Sequence, residues 1–300
     1  MVVLEFILSV IINGLSQGGI YAMIAIGYTM VYGIAKMLNF AHGDIIMVAA
    51  YVIVSVTTQQ ALPSAASIPI SFVLSVVICV LLGVVIEKVA YKPLRGASPL
   101  AVLITAIGVS YLLQSVAQSQ TSVGQNMTTV FASFGGFKIF DVTVKYTSII
   151  TLVITIAVMV GLTMFVKKSR TGRAMVAVSE DRGASQLMGI NVNKIITITF
   201  IIGSALAALA GFCSIMEAPS VTSTYGSMPG IKAFTAAVIG GIGSIPGAML
   251  GGILLGLIEA ISFKIPAFTP YTTAIEFAIL IIVLLVKPTG FLGKKRREKV

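Results

Sequence analysis

Apolar positions in this chain run on without interruption instead of alternating with polar ones. Residues 6–35, 45–86, 96–137, 146–166, 195–216 and 233–258 contain no charged side chain. A helix needs about 20 apolar residues to cross the hydrocarbon core, so most of these runs hold one span and the 42-residue run 45–86 holds two. The break between those two falls at Gln59-Gln60-Ala61-Leu62-Pro63-Ser64, where a proline and two amides mark a turn. Period-2 alternation is nearly absent, which predicts a helical bundle and not a β-barrel.

Composition agrees: 57% of the 300 residues are hydrophobic and 10% are charged, with a mean hydropathy of +1.04. The placement of charge adds an orientation. Residues 1–12 carry Glu5 and no Lys or Arg, and no cleavage signature follows, so the first helix is expected to stay in the mature protein. Lys88, Lys92 and Arg95 follow the third span, and Lys167, Lys168, Arg170 and Arg173 follow the fifth. Lys287, Lys294, Lys295, Arg296, Arg297 and Lys299 close the chain. Basic residues mark cytoplasmic loops, which puts the N-terminus outside and the C-terminus inside. Parity then requires residues 231–261 to cross twice or to dip and return. The expected architecture is an all-α polytopic membrane protein, a single domain over residues 1–300 with about eight transmembrane or re-entrant helices. An external loop at 119–145 is predicted to form a hairpin around Ser133-Phe134-Gly135-Gly136, with strands at 128–131 and 137–144. A basic tail spans 287–300. The basic clusters sit at span ends, which suits an anionic lipid leaflet and not nucleic acid. Tyr91, Tyr146 and Tyr271 suit interfacial positions. Cys79 and Cys213 lie in apolar runs, as packing residues and not as a disulfide or metal pair.

Against this background the stretch 167–194, KKSRTGRAMVAVSEDRGASQLMGINVNK, stands out, because it gathers eight of the chain's 30 charged residues. Ser179 can cap a helix, Glu180 and Asp181 suit its positive start, and Gly189 suits its stop. Ala184, Leu187 and Met188 then share one face at i, i+3, i+4, a small apolar patch able to enter a partner's groove. Spacing alone supports equally a solvated loop with a frayed turn.

Other interruptions carry candidate chemistry. Gly203, Ala207 and Gly211 form a small-residue stripe suited to helix packing. Gly243, Gly247 and Gly251 form a second, with Gly252 and Gly256 beside it. Broken apolar segments such as Gly240-Gly241-Ile242-Gly243-Ser244-Ile245-Pro246-Gly247 tend to line substrate paths. Asn39, His42 and Asp44 interrupt the apolar sequence earlier, although His42 alone cannot build a triad and Asp44 suits a helix start. Asn13-Gly14 with Gly18-Gly19 suggests a kink. Glu276 is the clearest intramembrane charge, a functional candidate unless it snorkels to the outer interface. Glu217, Lys232, Glu259 and Lys264 suit interfacial or interhelical pairs. No GxxxxGK[ST] loop is present. No charged relay of the proton-coupled kind runs through several helices.

Gly18-Gly19-Ile20-Tyr21-Ala22-Met23, then Leu38-Asn39-Phe40-Ala41-His42-Gly43-Asp44, the stretch 173–190 and GGIGSIPGAMLGG at 240–252 occur here in that order. In these motifs the chain resembles the permeases of bacterial branched-chain amino acid ABC importers over nearly its whole length. The resemblance implies an ABC-importer permease bundle in the bacterial inner membrane that is not itself an enzyme. It implies a second homologous permease, two cytoplasmic ATP-binding subunits and an extracytoplasmic binding protein that delivers leucine, isoleucine or valine. No cofactor is bound directly, and ATP is used by the partners. Arg173, Glu180, Asp181, Arg182, Gly183, Ala184, Leu187, Met188 and Gly189 would meet the ATPase. Asn39, His42, Asp44, Gly240, Gly241, Gly243, Gly247 and Glu276 are the path candidates. Related permeases carry other amino acids or urea-like amides, and an ATP-independent facilitator is the remaining alternative.

Overall fold

The computed structural model describes residues 2–58, 64–120, 135–139 and 142–293. Seven helices among them are long and apolar enough to cross a membrane: α1 (Val2–Ala35), α3 (Ser64–Ile86), α4 (Pro99–Gln120), α5 (Tyr146–Lys168), α8 (Val192–Glu217), α10 (Ile245–Lys264) and α11 (Thr272–Val286), the last together with the helical turn Thr269–Tyr271 ahead of it. An eighth apolar helix, α2 (His42–Thr58), is shorter. The 14-residue α9 (Ser227–Gly240) is about 21 Å long, too short to cross about 30 Å of hydrocarbon by itself. Residues 231–261 therefore form a short helix followed by a full-length one. Two further helices, α6 (Arg170–Glu180) and α7 (Arg182–Leu187), lie between α5 and α8.

The backbone separates into two compact units. The first comprises residues 1–29, 136–163 and 232–300. Its packing is backbone against backbone. A Cβ on Gly14 would meet Leu257, one on Gly18 would meet Ile253, and one on Gly252 or Gly256 would meet Ala22 or Gly18. Glycine and alanine at four-residue spacing on both helices let α1 and α10 cross closely, where lipid offers no hydrophobic drive for association. α1 runs unbroken through Gly14 and Gly18, and both glycines make close contacts with α10. α9 and α10 fold back on each other, since a Cβ on Gly251 would strike the Ala236 carbonyl. Gly243 does not continue the second stripe. It sits in the turn ahead of α10 with φ +98°, and a Cβ there would meet nothing.

A two-stranded hairpin, β1 (Gly136–Ile139) and β2 (Val142–Lys145), pairs antiparallel with Gly136 opposite Lys145. Both strands come from the stretch expected to form one, and residues 128–131 lie outside the described residues. The error came from giving the turn to Gly135-Gly136, whereas Gly136 pairs within the ladder. Most of the basic tail, from Lys294 onward, likewise lies outside the described residues, as do residues 59–63 of the break between α2 and α3.

The second unit comprises residues 30–135 and 164–231 and is organised around α2, α3 and α8. Gly211 lies against Ala49 and the Ile46 carbonyl, and Gly83 against Ser204. The Phe72 and Phe212 rings meet edge-on at 5.0 Å. The small-residue stripe on α8 therefore packs within the chain through Gly211. Cys79 and Cys213 are buried free thiols. Tyr91 departs from expectation: it is 1% exposed, whereas Tyr146 and Tyr271 are 48% and 64% exposed. Its hydroxyl donates to Asn39 Oδ1 at 2.9 Å, a polar partner inside the unit that replaces the interface.

Because a Cβ on Gly256 would overlap the Gly18 backbone, Gly256→Ala is expected to cost about 1–3 kcal/mol by overpacking. A lower melting temperature of the purified chain checks this. Gly108→Ala in α4, where a Cβ meets nothing within 4 Å, should leave it unchanged or slightly raised.

Candidate functional site

The polar island holds two short helices and the start of α8, each opened by a side-chain cap. Ser169 accepts from Gly172 N at 2.8 Å and opens α6, which buries Gly172, Met175 and Val178 and leaves Arg173 and Glu180 exposed. Asp181 accepts from Ala184 N at 2.9 Å and opens α7. Asn191 accepts from Lys194 N at 3.0 Å and opens α8. Ser179 is therefore not the cap. It lies inside α6, and its hydroxyl is turned to the Val176 carbonyl at 2.7 Å. A serine in a helix bonds back to the preceding turn, leaving the next residue with an oxygen in extended backbone, Asp181, to cap. The stop is as expected. Gly189 adopts φ +80°, and Ile190 N bonds the Ser185 carbonyl at 3.0 Å, closing the helix end as a left-handed glycine does.

The two sides of α7 differ. Ser185 is buried, while Leu187 and Met188 are 90% and 82% exposed and Ala184 joins them at the surface. Gly183 and Gly189 are exposed as well. Two large apolar side chains at the tip of a polar loop form a surface fit for a groove.

Arg182 behaves differently from the rest of the expected docking set. Its guanidinium turns back into the unit and donates to the Ile34 carbonyl at 3.2 Å and to the Ala35 carbonyl. These are the last carbonyls of α1, which have no partner within the helix and favour a cation. Lys36, just beyond, holds φ +54° and reaches the Gly33 carbonyl. Burial, and after it the Arg95 guanidinium, lowers Arg182 from its ordinary value, but a guanidinium keeps its charge in proteins. Arg95 itself pairs with the buried Glu87 and reaches Asn193, and Thr197 donates to Glu87 Oε2 at 3.0 Å. This network seats the end of α3 on the start of α8.

Asn39, His42 and Asp44 lie together, all buried, where the chain turns from α1 into α2. The break is inside the unit: the Ile45 carbonyl accepts from the Cys79 thiol at 3.5 Å, well within α3. Asp44 Oδ1 accepts from Gln114 Nε2 at 2.9 Å, and the same amide reaches Ser227 Oγ at 3.1 Å. A Cβ on Gly226 would land on the Gly43 carbonyl, so the start of α9 abuts the start of α2. Gln114 carries no motif, and only its position as an amide within a long apolar run could have signalled it.

Gly240, Gly241, Gly243, Gly247 and Glu276 belong to the first unit. Gly240 and Gly247 face each other so closely that a Cβ on either would meet the other's backbone. Gly241, at φ +102°, makes the turn between α9 and α10. Residues after α11 close this end, with Phe291 N bonding the Ile239 carbonyl at 2.8 Å and Leu292 N the Gly240 carbonyl at 2.9 Å. Glu276 is 1% exposed and does not snorkel. It shares the Lys232 ammonium with Glu259, at 3.1 Å and 2.6 Å respectively. Of Glu217, Lys232, Glu259 and Lys264, expected to form interfacial or interhelical pairs, Lys232 and Glu259 pair with each other, and Glu276 completes a triad.

Long apolar helices, buried polar breaks and an exposed apolar tip on a polar loop define a polytopic membrane protein of the transporter class. The chain belongs to the family described as branched-chain amino acid transport system / permease component, whose model matches residues 10–284. It is 46% identical over 298 residues to the high-affinity branched-chain amino acid transport system permease protein BraD of Pseudomonas aeruginosa, covering 97% of each chain. It is 41% identical over 303 residues to the corresponding protein LivH of Escherichia coli, covering 98% of each. It is 28% identical over 285 residues to a probable branched-chain amino acid transport permease protein of Methanocaldococcus jannaschii, covering 90% of this chain and 88% of that one. The chain is thus a multi-pass permease component of the cell membrane.

Arg182→Ala is expected to cost about 1.5–3 kcal/mol, the range for hydrogen bonds to a charged group. Arg182→Lys should recover only part of it, because one ammonium lacks the planar fork that spans two carbonyls. Thermal unfolding of the three purified proteins measures the difference.

Proposed function

We propose that this chain is the permease subunit through which leucine, isoleucine or valine enters the cell, powered by ATP hydrolysis in partner subunits. The observation that carries this is the 46% identity across 97% of both chains to a permease named for branched-chain amino acids. The partners are a second homologous permease, two cytoplasmic ATP-binding subunits and an extracytoplasmic binding protein. ATP acts on those subunits, and this chain binds no cofactor of its own.

In this reading α7 is the contact with the ATP-binding subunit. Leu187, Met188 and Ala184 enter the partner, with Arg173, Glu180, Asp181, Gly183 and Gly189 around them. Arg182 has the opposite task of fastening α7 to the end of α1. Because the partner's nucleotide states hold α7 differently, they bias the permease between inward and outward conformations. Asn39, His42 and Asp44 are candidates for the path, since a helix broken inside a bundle frees polar groups for a passing solute. Gly240, Gly241, Gly243, Gly247 and Glu276 are candidates too.

Leu187→Asp with Met188→Asp tests the contact in the complete complex reconstituted in liposomes. A hot spot in an interface is worth about 2 kcal/mol or more, so if the pair supplies one, binding of the ATP-binding subunit should weaken by about thirtyfold or more. ATP-dependent uptake of labelled leucine should fall with it. Undiminished uptake would remove α7 from the coupling, and uptake by the permease without ATP-binding subunits would overturn the ATP-driven assignment.

A further inference from the structure

The polar centre of the first unit is unbalanced. Lys232 from α9 meets Glu259 from α10 at 2.6 Å and Glu276 from α11 at 3.1 Å, so one positive charge faces two carboxyl groups. All three residues are buried, Glu276 most completely at 1% exposed. Tyr21 of α1 supplies the fourth side. Its ring lies 5.7 Å from the Lys232 ammonium, and it too faces both carboxyls. If both carboxyls were ionised, the cluster would hold one net negative charge inside an apolar bundle. An uncompensated buried ion costs several kcal/mol even after relaxation, and such groups neutralise instead.

We propose that the Lys232–Glu259–Glu276 cluster is a proton-binding site, in which one proton resides on Glu276 and leaves the cluster electrically neutral. Geometry selects the residue. Glu259 holds the shorter contact to the ammonium and forms the ion pair. Both carboxyls leave Oε2 buried without a hydrogen-bond partner, but Glu276 has the longer contact through Oε1 and is the more deeply buried, 1% exposed against 7% for Glu259. A carboxylate oxygen left bare in such a place is the least tolerable site for charge and the natural site for hydrogen. The neutral clasp ties α9, α10 and α11 together, which the short α9 needs.

Charge counting makes the proposal specific, and it is read on the purified chain in lipid without partners or substrate, so its failure leaves the transport assignment intact. The measurement is the infrared carbonyl band of protonated carboxylic acid at neutral pH. The wild-type band minus that of Glu276→Gln should equal one carboxyl group, with the melting temperature of the variant unchanged because the amide mimics a protonated acid. Glu259→Gln should lose the same band, since Lys232 then balances Glu276 alone. This second variant decides the matter if the first does not fold. Lys232→Met should raise the band about twofold, because both acids must then be neutral. No difference between wild type and both glutamine variants overturns the proposal. So does a melting temperature that rises with sodium in the wild type alone, which would place a metal cation where the proton is assigned.

Discussion

Helices in lipid gain nothing by hiding apolar surface from one another, so this bundle depends on how closely its backbones can approach. Where Gly18 meets Gly256, where Gly43 meets Gly226 and where Gly240 meets Gly247, a single Cβ would overlap main-chain atoms. These are the points at which van der Waals contact and packing replace the hydrophobic effect as the force of association. The rest follows from them. α9 and α10 lie close enough along their lengths for Lys232 to reach Glu259, and α2 starts close enough to α9 for Gln114 to bridge Asp44 and Ser227.

The loop between α5 and α8 divides its labour by direction. Caps at Ser169, Asp181 and Asn191 fix three helix starts within a short stretch, and the left-handed Gly189 ends the middle one. The tip is apolar and outward; the root is Arg182, bound to the end of α1. An exposed apolar surface and a link to a membrane helix thus sit close together on one six-residue helix.

The spans and the stop of α7 were legible in the sequence because each rests on local chemistry: uninterrupted apolar length and a helix stop glycine. The cap at Asp181 was one step from legible. Ser179 has the same capping chemistry, and only the length of α6 decides between them. The hairpin was misplaced because Gly135-Gly136 looks like a turn wherever it falls, while Gly136 is held in a ladder by Lys145. Tyr91 and Asn39, or Asp44 and Gln114, are pairs from distant segments, and nothing near either residue announces the other. Glu276 could be flagged by depth alone, but its partner lies 44 residues away.

That separation has a consequence in the order of synthesis. Lys232 leaves the ribosome first, on a helix too short to span, and its two carboxyl partners follow 27 and 44 residues later. Until α10 emerges, α9 carries a bare ammonium that hydrocarbon does not accept. The short helix can therefore settle in the bilayer only once Glu259 has followed it, and Glu276 joins an ion pair already made. Insertion of α9 waits on the helix after it.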